Sequence, residues 1–356
     1  MATEIGGAGI KIQQLSSAPS SPVAGQVYWD TTTKEMKLWD ANRWNVVNRD
    51  TDFLLRHVIT TGFVAGGYKS SVPWQNVEMM AHATDIILNQ GNVLTAAGAY
   101  VSGACSLTQG YVFGVDGTWP GDSTATVKYG LWNITGSAGP AMRHSRNDSC
   151  TIFREHYMAW IIAGNTGTTE LDVLNLSTDS MYTTNQGINS ASGGDSMQEG
   201  GASHSGENKG FWWYATNSAQ KLAFPTSTSS TAATMSTFSS GTRPGINSQQ
   251  KGFSSKHDKA YAGNEGTYSG GYNFRRFDYT TETVTATVTK PMANSGEENF
   301  DMGQDWQYAM GQYDGAQNNR GHKFYYATDS GYELGAGSVR TAVTGSSSGH
   351  CHWRGN

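Results

Sequence analysis

Apolar and aromatic residues come in short bursts along this chain, each followed by small residues and then by a polar stretch rich in Gly and Ser. One burst recurs. It reads Phe63-Val64-Ala65-Gly66-Gly67, then Tyr111-Val112-Phe113-Gly114, Ile161-Ile162-Ala163-Gly164-Asn165, Trp212-Trp213-Tyr214-Ala215, Ala260-Tyr261-Ala262-Gly263-Asn264 and Tyr308-Ala309-Met310-Gly311. The bursts are too short for helices, and their aromatic and β-branched content is that of buried strands. Their starts at 63, 111, 161, 212, 260 and 308 are about 50 residues apart. Six such units fill the chain to residue 356.

A second strand-like run follows each burst, at Val77–His82, Thr126–Ile134, Leu171–Leu176, Gln220–Phe224, Asn273–Tyr279 and His322–Ala327. A Gly/Ser-rich segment and a further strand complete each unit. A period near 50 with several short strands predicts one propeller blade per unit. The expected fold is therefore all-β: a six-bladed β-propeller over residues 51–356. A single small sheet cannot bury both its faces, whereas a closed ring buries them all and leaves few edges. Closure requires that Leu54–Thr61 or His350–Trp353 complete a blade shared by the two ends. The repeated glycines are expected where neighbouring backbones crowd together. Cys105, Cys150 and Cys351 recur at a similar phase of the unit, which predicts small buried packing residues at one equivalent position. An aromatic strand ending in Gly-Gly, followed by an aromatic or acidic strand, resembles the repeat of kelch proteins. The units are kelch-like and degenerate, since only the first keeps its Gly-Gly pair.

Composition agrees with strands and turns. Glycine numbers 44 of 356 residues, and charged residues are 15%, against about 25% in ordinary soluble domains. The net charge of −5 and the absence of a Lys/Arg run argue against nucleic acid or an anionic membrane as partner. No stretch of about 18 apolar residues is present for a membrane span. The N-terminus does not follow the signal-peptide pattern, so synthesis in a cytosol is expected.

Residues 1–50 differ in texture. Met1–Ser17 reads as an extended arm, and 18–50 as a β-meander. Its strands are predicted at Gly25–Trp29, Glu35–Trp39 and Trp44–Val47, with turns at Asp30–Lys34 and Asp40–Arg43. Alternation puts Val27 and Trp29 on one face and Tyr28 on the other. Pro19, Pro22, Gly25, Val27, Tyr28, Trp29, Asp30, Thr31, Trp39, Asp40 and Trp44 form a pattern that resembles a hairpin module of tailed-bacteriophage fibre and tail proteins. The resemblance implies a virion component, such as a tail fibre or appendage, assembled in the host cytoplasm with other virion proteins as partners. Appendages of this kind are often trimeric, so a homo-oligomer is expected. Tyr28, Trp29, Trp39 and Trp44 are the expected residues of virion attachment or self-association.

Little in the chain points to catalysis. There is no Gly-x-Ser-x-Gly elbow, His-Glu-x-x-His motif or phosphate-binding loop, and no enzyme activity, cofactor or metal is expected. Asp116-Gly117-Thr118-Trp119 reads as a turn. His350 and His352 supply too few ligands for a zinc site, and Glu297, Glu298, Asp301 and Asp305 lack the spacing of a calcium loop. The loops after each burst occupy equivalent positions and should emerge together. Trp74, Trp119, Tyr268 and Tyr272 lie in them, and exposed aromatics stack on sugar rings. They are the candidate contact residues for a host-surface glycan or receptor. A purely decorative propeller on capsid, neck or tail is the main alternative, and a glycan-active enzyme a more remote one.

Overall fold

A computed structural model provides the structure. It describes residues 13–32, 35–39, 44–48, 61–69, 72–81, 84–98, 101–106, 108–115, 123–131, 133–146, 149–154, 157–162, 170–184, 202–204, 209–214, 218–223, 234–239, 253–256, 259–263, 273–278, 280–289, 299–302, 306–310, 321–334 and 349–351. The described elements are all strands. Among the described residues no helix is long and apolar enough to cross a membrane. The chain divides into two compact units, Met1–Ile59 with Gly355–Asn356, and Thr60–Arg354.

The first unit holds one four-stranded sheet of β1 (Gln13–Leu15), β2 (Val27–Asp30), β3 (Glu35–Trp39) and β4 (Trp44–Asn48). The three meander strands lie within two residues of their predicted bounds. The expected arm contributes a strand as well, with Gln14 opposite Trp29 in parallel register. Asp30 shapes the β2–β3 turn: its Oδ1 accepts the Thr32 N–H at 2.9 Å, and its Oδ2 pairs with Lys37 at 3.0 Å.

The second unit opens with β5 (Thr61–Ala65), a small hairpin of β6 (Tyr68–Lys69) and β7 (Val72–Pro73), then β8 (Asn76–Ala81) and β9 (Ile86–Asn92). Four antiparallel meanders of four strands follow with a fifth behind them. The second sheet is β10 (Ser102–Cys105), β11 (Gln109–Phe113), β12 (Thr126–Gly130) and β13 (Gly136–Ala138). The third is β14 (Cys150–Arg154), β15 (Met158–Ile162), β16 (Leu171–Asn175) and β17 (Ser180–Thr184). The fourth is β18 (Ala202–His204), β19 (Lys209–Tyr214), β20 (Ser218–Ala223) and β21 (Thr234–Ser239). The fifth is β22 (Phe253–Lys256), β23 (Lys259–Gly263), β24 (Asn273–Asp278) and β25 (Thr283–Thr289). The sixth is β26 (Asn299–Met302), β27 (Trp306–Met310), β28 (Gly321–Tyr325) and β29 (Ser330–Glu333).

The last strand, β30 (Gly349–Cys351), joins the first sheet in the order β30-β5-β8-β9. Gly349 faces Ala65, and Cys351 faces Phe63. Of the two segments expected to complete that sheet, the C-terminal one does so, while 54–60 lies outside the described residues. The six bursts form the second strand of each sheet, and the six following runs form the third.

Period-two alternation explains the packing. On β11, Val112 packs with Phe63, Ala65 and Val77 of the first sheet. Its neighbours Tyr111 and Phe113 pack with Ala159, Ile161 and Leu174 of the third. On β5, Phe63 and Ala65 go to the second sheet, while Val64 meets Tyr308 and Leu334 of the sixth. Both faces of a sheet are thus buried, which is why β15 is apolar and buried at every position. The first strands lie side by side in chain order: β10 by β14, β14 by β18, β18 by β22, β22 by β26, β26 by β30, and β30 by β10. The sixth sheet therefore meets the first.

The repeated glycine has two causes. Gly66 and Gly114 have φ of +72° and +81°, a region disfavoured for L side chains. A Cβ there would also stand 2.9 Å from the Gly98 carbonyl oxygen and 2.8 Å from that of Arg146. Those carbonyls belong to the segments that leave the first and second sheets for the next. The cysteines need a correction. All three lie on first strands, but on different rungs: Cys105 faces Gly110, Cys150 faces Ile162 and Cys351 faces Phe63. They share a strand, not a single position, because the first strands differ in length and register.

Candidate functional site

The two ends of each sheet are built differently. One end carries tight hairpins, such as 106–108 between first and second strands. The other carries long connections: 66–75 and 114–125 between second and third strands, and 93–101 and 139–149 on the way to the next sheet. Loops of varied sequence on a rigid scaffold are where binding residues concentrate. The long-connection end is the candidate contact face.

Trp74 lies there, half-buried in the first sheet's connection. Its N–H donates to the Gly67 carbonyl at 2.9 Å, and its own carbonyl accepts the Gly98 N–H at 3.1 Å. Its backbone is therefore pinned between the second-to-third connection and the one leading to the next sheet. Trp119, Tyr268 and Tyr272 belong to the corresponding connections of other units and lie outside the described residues. So do Asp116, Glu297, Glu298, Asp305 and His352.

The same end holds a buried ion pair. Arg146, on the segment between second and third sheets, donates from Nε to the Asp172 Oδ2 at 2.9 Å, and both side chains are fully buried. The Arg143 N–H donates to Asp172 Oδ1 at 3.0 Å. His144 stands between two carboxylates, its Nε2 2.8 Å from Glu170 and its Nδ1 3.5 Å from Asp172. Charges this deep persist only when paired and hydrogen-bonded. Asp172 thereby ties β16 to the segment that enters its own sheet.

At the hairpin end a second device repeats, one the sequence reading did not find. A residue at or next to the end of the third-to-fourth-strand turn is left-handed in five sheets: Asp85, Ile134, Asp179, Glu282 and Asp329 have φ between 48° and 56°. Asp tolerates this conformation better than most residues. Each acid takes a cation from the third strand of the preceding sheet. Lys128 pairs with Asp179, Lys221 with Glu282 at 2.9 Å, Arg276 with Asp329, and Lys323 with Asp85 at 2.8 Å. Where the third-strand residue is Met79, the next turn residue is Ile134, and both pack on the same apolar cluster. Charge meets charge at four of the described seams, and apolar meets apolar at a fifth. The signal is visible in the chain as Thr84-Asp85, Thr178-Asp179, Thr281-Glu282 and Thr328-Asp329.

In the N-terminal sheet, Tyr28 is buried and meets Trp44 edge-on at 4.8 Å, and Trp44 lies 5.4 Å from Trp39. These three of the four expected attachment residues come together as a small aromatic core. Trp29 alternates to the other side of β2 and is half-buried.

No family model matches the sequence, and no curated protein does. Solved structures do match. One is a fungal alcohol oxidase of the AA5 family in complex with copper, with a TM-score of 0.52 at 11% identity. The likeness covers 89% of this chain and 65% of that one. Among the described residues there is no group of three or more His, Cys, Asp or Glu that could hold a metal ion. At such identity the similarity is one of fold alone.

Proposed function

We propose that the six sheets of the second unit are the blades of a kelch-like β-propeller, and that the chain is a bacteriophage virion protein of the tail-fibre or appendage type. The neighbour order of the first strands, the seam pairs and the pairing of β30 with β5 all support the ring. The N-terminal sheet attaches the protein to the particle. The long-connection face of the propeller, with Trp74 and the loops of Trp119, Tyr268 and Tyr272, meets a host-surface glycan. The protein is not an enzyme in this reading.

The observation that carries the virion reading is the motif from Pro19 to Trp44, which resembles the phage module and folds here around Tyr28, Trp39 and Trp44. The test is deletion of residues 18–48 from the gene in the phage. Particles should then lack the protein and adsorb poorly to the host. Particles that retain it, or that adsorb normally without it, contradict the proposal.

A further inference from the structure

The seam between the sixth and first sheets joins the two ends of the six-sheet unit. The Lys128–Asp179, Lys221–Glu282 and Arg276–Asp329 seams join sheets 51 to 61 residues apart. At the closing seam the partners Lys323 and Asp85 are 238 residues apart. Among the described residues the strand that crosses between these chain ends is β30, three residues long. Such a strand offers few ladder hydrogen bonds, each contributing a net of about 1 kcal/mol.

Asp85 is correspondingly elaborated. Besides Lys323, it accepts hydrogen bonds from the Tyr308 hydroxyl and, at 2.8 Å, from the Tyr332 hydroxyl. All three donors come from the sixth sheet, one each from β27, β28 and β29. The Lys323 ammonium also lies 4.5 Å from the Trp306 ring centroid, 5.1 Å from Tyr308 and 5.7 Å from Tyr325. Such contacts hold a cation in place when water is largely excluded, and the Lys323 side chain is only 8% exposed.

We propose that Asp85 is a latch: it gathers three strands of the last sheet onto the first and keeps β30 seated on β5, so that losing its charge opens the ring at this seam alone. The proposal rests on the ring reading and deepens it. Tyr308, Tyr332 and Lys323 are the titratable groups that face the carboxylate from the sixth sheet. An opened seam leaves β5 as an unpaired edge, the kind of edge that accepts a strand from a second copy.

The test is hydrogen exchange of the full chain at neutral pH, read on peptides covering 61–65 and 349–351, for wild type, Asp85→Asn, Tyr332→Phe and Asp179→Asn. Asp85→Asn should speed exchange of both peptides about tenfold, as expected for losing a charge-assisted hydrogen bond. Tyr332→Phe should do so less, and Asp179→Asn should leave both unchanged. If Tyr332→Phe and Asp85→Asn exchange like wild type, or Asp179→Asn speeds these peptides equally, there is no latch. A disulfide trap in the otherwise natural sequence, Ala65→Cys with Gly349→Cys, separates the two readings. Cross-linking with unchanged exchange overturns the latch and keeps the ring, whereas no cross-link overturns the ring itself.

Discussion

The Lys323 ammonium of the sixth sheet lies 2.8 Å from the Asp85 carboxylate of the first, across 238 residues of chain. The pair is specific to its seam. A double-mutant cycle on Lys323→Met and Asp85→Asn should show a coupling of about 1 kcal/mol, the upper range for a partly exposed pair. Lys323 cycled against Asp179 should show none. Urea denaturation of the six proteins in the two cycles gives both values, and equal couplings would remove the seam rule.

The rule can also be written into a seam that lacks it. Met79→Lys alone places an unpaired cation against an apolar cluster, at a cost of about 1–3 kcal/mol. Adding Ile134→Asp supplies its partner and puts a more tolerant residue at φ 48°. The double variant should recover most of the lost stability, measured by thermal melting. A double variant less stable than Met79→Lys would show that the two positions do not face each other.

The buried pair at the opposite end is a harsher site. Arg146→Met leaves Asp172 buried without its cation, and Asp172→Asn does the reverse. Each should destabilise the protein by about 3–5 kcal/mol. The double replacement Arg146→Met/Asp172→Asn should cost less than the sum of the two.

Acid should weaken the fold through carboxylates held below their ordinary range. Burial alone would raise Asp85, but hydrogen bonds from Lys323, Tyr308 and Tyr332 and the Lys323 charge outweigh it and hold its carboxyl low. Asp278 is held low first by the Thr281 N–H, against some burial, with help from the Thr281 hydroxyl, the Thr280 N–H and Arg276. A carboxylate with a lowered folded pKa contributes stability that is complete above its unfolded value, about 4, and is lost as pH falls through the folded one. Melting temperature should hold steady from neutral pH to about 5 and fall below about 4. In Asp85→Asn that fall should be shallower; an equal fall would place the acid sensitivity elsewhere.

Gly114→Ala tests the repeated glycine. Both the positive φ and the Arg146 carbonyl at 2.8 Å oppose a side chain, and the cost should be about 1–3 kcal/mol. Gly25→Ala meets nothing within 4 Å and bears only the strain of its φ of +83°, so it should cost less. The comparison in melting temperature isolates the close approach from the backbone angle.

Much of this fold was legible in the chain. The bursts at Tyr111 and Ile161 and the runs at Thr126 and Leu171 carry enough buried area per residue to declare themselves as strands. The last strand comes from one of the two segments expected to complete the first sheet. The seams were harder to read. Lys128 and Asp179 are unremarkable alone, and only the sheet order shows that each cation serves the turn of the next unit. The Thr-acid dipeptides held that signal, but at a spacing blurred by loops of unequal length. The cysteines misled for the same reason: phase along the chain is not rung along a strand. Of the candidate contact residues, Trp74 is placed by backbone hydrogen bonds that no sequence pattern announces.

The most direct test of the central claim is a cryo-electron map of the phage particle that carries this protein. A ring of six blades on a tail appendage, joined to the particle through residues 13–48, is the predicted result. A map in which the six sheets form no ring, or in which the protein is absent from the particle, would contradict it.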